Sequence, residues 1–135
     1  MSGMPAVLPH RNAVLAVLQA SGLAVGEGGA PATVPASQMY AVLYMDPGRS
    51  LRESLADVRS TFQGLFQVTC VGPTVEKALW VADKVRAALY GPLSVGGRAT
   101  WRPEELGGPP VQRDDDVTPP LYFVPVQYRL MSIPA

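Results

Sequence analysis

The sequence predicts an α+β domain, with two helices packed on one face of a mainly antiparallel sheet in the chain order α-β-β-α-β-β. Three observations predict it. Apolar residues recur at helical spacing around residues 8–21 and again over 75–89. Residues 62–71 and 121–133 instead alternate in the two-residue period of strands. Stretches rich in turn formers separate these segments, with 13 Gly and 14 Pro among 135 residues.

The first helix comes from "LPHRNAVLAVLQASG", where Leu8, Val14, Leu15 and Leu18 share a face. Pro9 is tolerated in a first turn, and Gly22 supplies a left-handed terminator. "GEGGAPATVPAS" has no periodicity and reads as a loop. In "QMYAVLYM" both faces are apolar, which predicts a well-covered strand. "DPGRSLRESLADVRS" opens on the turn signal Asp46-Pro47-Gly48 and reads as an arm between strands. Ser50 and Glu53 have capping-box spacing, so the arm has room for a helical turn.

"TFQGLFQVTCVG" is the clearest strand, with Phe66, Val68 and Cys70 alternating with Gln67 and Thr69. Gly72-Pro73 breaks it, and "TVEKALWVADKVRAALYG" is the clearest helix. Its stripe is Val75, Ala78, Leu79, Ala82, Val85 and Leu89, with Glu76 in the first turn and Arg86 near the last, as the helix dipole favours. Gly91-Pro92 ends it. "LSVGGRATW" predicts a hairpin or bulge at Gly96-Gly97. "PLYFVPVQYRLMSI" puts Tyr122, Val124, Val126, Tyr128 and Leu130 on one face, and Pro125 marks it as an edge or bulged strand.

The bulk properties bound what such a domain does. At 135 residues the chain reads as one domain, 1–135, large enough to bury a core without staples. It is 47% hydrophobic and 16% charged, which excludes a disordered chain and hints at partner-covered surface. Formal net charge is zero, so no basic footprint points to nucleic-acid binding. The single cysteine, Cys70, forbids an intrachain disulfide and fits a reducing compartment. No apolar run approaches a membrane span, and "MSGMPAVLPHRN" lacks the pattern of a signal peptide, so the chain reads as soluble and made inside the cell.

The most suggestive chemical feature is the run Asp114, Asp115, Asp116. Side chains of adjacent strand residues point to alternate faces, and a calcium loop spaces its ligands and carries a central Gly. The run therefore reads as a solvated turn, with Pro119-Pro120 directing the next strand. His10, the only histidine, reads as a solvated helix-start residue, since no G-x-S-x-G elbow accompanies it. Cys70 reads as a buried structural thiol. Gly26, Gly28 and Gly29 precede no Lys-Ser/Thr and make no phosphate loop. Trp80 and Trp101 read as packing or interface aromatics. No catalytic residue, cofactor site or metal site is predicted.

Several stretches resemble the tail terminator proteins of long non-contractile-tailed bacteriophages. They are "YAVLYMDPGR", "SLADVRSTFQGLFQVTCVG" running into "EKALWVADKVRAAL", and "RDDDVTPPLYFVPVQYRL", together spanning Tyr40 to Met131. The resemblance implies a sheet with flanking helices and a ring-forming subunit. It implies a homo-oligomeric ring, a hexamer, which caps the head-proximal end of the tail tube, stops its polymerisation and meets the head-completion (neck) proteins. DNA only passes through the lumen, and no membrane, cofactor or catalytic residue is implied. Such a protein is a virion component assembled in the host cytoplasm.

Cyclic contacts pair two different patches of one chain. On this reading Arg49, Arg52 and Arg59 meet Asp114, Asp115 and Asp116 of the next subunit. A rival placement lines the lumen with the aspartates, where they repel DNA phosphate. Two other functions compete: a neck or head-closure connector, and a small cytosolic enzyme holding a divalent metal at the aspartates.

Overall fold

The computed structural model describes residues 5–52 and 59–135. The described residues form two helices and a mostly antiparallel, eight-stranded sheet, an α+β fold. In chain order the elements are α1 (Val7–Ala20), β1 (Ala24–Glu27), β2 (Tyr40–Met45), β3 (Arg49–Leu51) and β4 (Thr61–Gly72). There follow α2 (Val75–Ala88), β5 (Arg98–Thr100), β6 (Glu104–Gly107), β7 (Gln112–Asp114) and β8 (Leu121–Pro134). The four-strand order of the sequence reading is thus too simple.

The spine of the sheet is the antiparallel pair β4–β8, in register from Phe62 opposite Ser132 to Gly72 opposite Tyr122. The path runs β1-β2-β4-β8-β5, with β3 also on β4, and β6 and β7 also on β8. β1 overlaps the stretch read as a loop. It pairs in parallel with β2, Ala24 beside Tyr40 through Glu27 beside Leu43, and it is the single parallel element among the described residues.

Pro125 does not mark an edge. β8 is interior, paired with β4 on one side and with three short strands on the other. Pro125 is accommodated because it lies where the second partner changes from β7, opposite Phe123, to β6, opposite Gln127. The backbone passes so close there that a Cβ on Gly108 would lie 2.1 Å from the Pro125 carbonyl oxygen. Gly96-Gly97 likewise makes no hairpin. Gly97, at φ 70°, turns the chain into β5, which runs along the far end of β8.

Both helices begin and end for identifiable reasons. α1 closes at Gly22, φ 89°, with the Ser21 and Gly22 amides donating to Leu18 and Gln19. α2 is capped by the Thr74 hydroxyl, which accepts from the Lys77 amide at 3.1 Å. Its buried face is Ala78, Val81, Ala82 and Val85. The sequence stripe was therefore rotated: Val75 and Leu79 are exposed, and Val81 replaces them inside. The apolar arc is wider than one stripe, and the sheet selects the part with small residues that permits close approach.

The main core lies between the helices and one face of the sheet. Ala41, Leu43, Phe66, Val68, Cys70, Val124, Tyr128 and Leu130 meet Val14 and Leu18 of α1 and Val81 and Val85 of α2. Phe66 and Tyr128, opposite each other in the ladder, stack at 5.3 Å. On the other face a smaller apolar cluster of Tyr40, Val42 and Val71 is buried, with Ala24, Leu121 and Phe123 packed around them. No described helix is long and apolar enough to cross a membrane.

Candidate subunit interface

The basic arm starts from an Asx turn. The Asp46 carboxylate accepts from the amides of Gly48 and Leu65, at 2.9 and 3.1 Å, and Gly48 takes φ 69°. The turn places Arg49 at the head of β3, opposite Gln63, whose side-chain oxygen accepts from the Arg49 guanidinium at 2.8 and 3.0 Å. Arg52 and Arg59 are exposed, and Arg59 is left-handed at φ 60°. Among the described residues none of the three arginines pairs with a carboxylate. The helical turn considered from Ser50 to Glu53 begins within β3, at Ser50 and Leu51, and from Glu53 on lies outside the described residues.

The aspartates form the turn after β7. The Asp114 carboxylate accepts from the Asp116 amide at 3.0 Å, and Asp115 pairs with its own neighbour Arg113 at 2.7 Å. The Asp114 and Asp115 carboxylates are thus committed locally. Among the described residues no group of three His, Cys, Asp or Glu could hold a metal ion.

The structure does not bring the two charge clusters together within one chain. Arg49 is tied through Gln63 to Met131 of β8, and Asp114 lies opposite Leu121 at the other end of that strand. Ten residues of β8 separate the two, about 33 Å at ordinary strand rise.

Two hollows open outside the main core, one at the β2 edge beside the start of α1 and one on the face of the sheet that the helices leave uncovered. β1 accompanies β2 only as far as Leu43. Beyond it opens a groove of about 850 Å³ lined by Val7, Leu8, Tyr44, Met45, Pro47 and Leu65, with the Arg11–Glu27 ion pair at its rim. Leu8, Tyr44 and Leu65 are 63%, 44% and 41% exposed, an apolar concentration in one place. The second hollow, about 350 Å³, lies over Tyr40, Val42, Thr69, Val71 and Phe123, with Asp114 at its edge. The acidic turn therefore borders an apolar surface. Trp80 and Trp101 are both exposed, 49% and 53%, and contribute to the surface instead of the core.

His10 corrects the sequence reading outright. It is buried, not solvated, and stacks on Phe62 with ring centroids 3.9 Å apart. Its Nε2 meets the Ser132 hydroxyl at 2.6 Å. Burial holds its pKa below 6.5, the Ala6 carbonyl works against this, and the Arg98 charge adds to the lowering. Ser132 is fully buried and also accepts from Arg98 Nε at 3.1 Å, so the Ser–His contact offers no nucleophile to a substrate. No local signal in the sequence pairs residue 10 with residue 132. Cys70 is buried as expected, and burial pushes its thiol up to about 12, which makes it inert at neutral pH.

No family model and no curated protein matches the chain. Solved structures do match, and one of them superposes on the chain with a TM-score of 0.59, covering 94% of this chain and 94% of its own at 21% sequence identity. That protein's name states no activity. Likeness at this identity establishes the fold, two helices on a mostly antiparallel sheet, and nothing finer.

Proposed function

We propose that the chain is a structural virion protein, a tail terminator. Its subunits form a ring, a hexamer, which caps the head-proximal end of the phage tail tube, stops its growth and receives the neck proteins, with DNA passing through the lumen. The observation that carries the reading is the separation of charge. Arginines without described carboxylate partners and an acidic turn occupy opposite ends of one rigid sheet. Two complementary patches that cannot meet within a chain are satisfied by a head-to-tail contact, and such contacts close into rings when the rotation permits. The exposed apolar groove gives the same contact area that charge alone does not.

Mass by light scattering, on the protein alone and mixed with tail tubes, followed by imaging of tube ends, tests the proposal. A ring species, or density capping tubes that stop growing, is the expected result. A monomer that ignores tubes overturns it and favours the neck connector. A melting temperature raised by a divalent metal, and no longer raised after Asp→Asn at 114–116, favours the metal enzyme instead.

The charge pairing has its own test. Asp116→Lys and Arg52→Asp each weaken assembly, more so at low salt, and the double variant restores it. Single reversals that leave assembly and its salt dependence unchanged remove Arg49, Arg52, Arg59 and Asp114–Asp116 from the interface.

A further inference from the structure

Three parts of the chain distant in sequence meet at His10: the first turns of α1, the end of β8 and the start of β5. The proton positions there follow from the partners. His10 Nδ1 lies 2.7 Å from the Ala6 carbonyl oxygen, which only accepts, so Nδ1 carries the proton. Nε2 is then an acceptor and takes the Ser132 hydroxyl proton at 2.6 Å. Ser132 Oγ in turn accepts from Arg98 Nε, whose guanidinium also donates to the carbonyls of Ser60 and Ser132, at 2.7 and 3.0 Å. The His10 Nδ1, Ser132 hydroxyl and Arg98 Nε protons each have an acceptor, provided the imidazole is neutral.

Protonation at Nε2 removes the acceptor that Ser132 uses. It also sets a second cation near Arg98 in a site sealed by Phe62, and among the described residues no carboxylate pairs with either. Arg98 is the charged group that faces His10 from β5, while β8 presents only the Ser132 hydroxyl and β4 the Phe62 ring. Arg11, next along α1, is held away by Glu27.

We infer that this cluster is a pH-sensitive latch: neutral His10 fastens the first turns of α1 to β8 and β5, and protonated His10 releases them. The released segment carries Val7, Leu8 and Arg11, which wall the apolar groove, so opening the latch dismantles the groove. The inference holds whatever the groove binds. The sign follows from linkage. A histidine whose folded pKa lies below 6.5 binds fewer protons closed than open, so the closed form is favoured above 6.5 and loses ground as pH falls through 6.5 towards the folded pKa.

The chain contains one histidine, so the imidazole proton signal in an NMR titration belongs to His10 without further assignment. The expected midpoint lies below 6.5. Amide exchange over residues 7–14, corrected for the intrinsic rate, accelerates about tenfold per pH unit between the open and closed pKa values, while β4 amides do not follow. His10→Gln, which cannot titrate, abolishes the selective acceleration. A midpoint at or above 6.5, or protonation that leaves the α1 amides protected, overturns the latch. A folded His10→Gln with the wild-type acid response overturns it equally, and if that variant fails to fold the wild-type titration and exchange decide alone.

Discussion

The two faces of the sheet are built from the same strands and do different work. On the helix side, Leu43, Phe66, Val68 and Leu130 are sealed beneath α1 and α2. On the other side, the neighbours of those residues in the chain include Tyr44 and Leu65, large apolar groups left to solvent. Because strand side chains alternate, one residue's step along β4 crosses from a packed interior to an open surface. Stability is therefore concentrated on one face, and the other leaves apolar area exposed.

The sharpest way to break this comparison is truncation within the core. Phe66 is 1% exposed and stacks on Tyr128. Phe66→Ala is expected to cost about 3–5 kcal/mol in urea or guanidinium unfolding, for lost transfer energy and a cavity that the flanking strands cannot collapse. A loss near that of a surface substitution would mean that the helix side is not the principal core.

A smaller effect is expected where backbones cross. Gly108 carries the chain from β6 towards β7 over Pro125, at a distance that leaves no room for a methyl group. Gly108→Ala is expected to destabilise by about 1–3 kcal/mol through displaced backbone. The damage should appear first as faster amide exchange in β6 and β7, which hold only the outer edge of β8. Uniform loss of protection across β4 and β8 would instead make the crossing part of the spine.

What the sequence revealed follows the same division. The spine strand at 61–72 and both helices were legible because each buries one face, and burial writes periodicity into the residues. β6 was illegible because all four of its residues are exposed, so nothing forces an alternation. β1 was illegible because four residues carry too little pattern, and because Gly26 reads as loop when it is required by close approach to the Gly29 carbonyl. Pro125 misled for a physical reason. A proline forbids a ladder bond on one side, and the switch of partner from β7 to β6 removes the need for it. Of the candidate interface, the arginines and aspartates were visible as charged loops, but their placement at opposite ends of β8 depends on register, which no local stretch contains. His10 was lost the same way, since its partner lies 122 residues on.

The smallest expected effect on stability distinguishes the faces best. Tyr44→Ser and Leu65→Ser change groups that are already 44% and 41% exposed, so each should shift unfolding by no more than about 0.5 kcal/mol. If the open face is a contact surface, the same substitutions lower the mass of the assembled species by light scattering. They also leave its salt dependence intact, because they remove apolar area and no charge. The charge reversals at Arg52 and Asp116 should show the opposite pattern, with an effect that salt suppresses. A substitution that costs association and not stability marks a surface held for another molecule. One that costs both would place Tyr44 and Leu65 with Phe66, in a core that continues through the sheet.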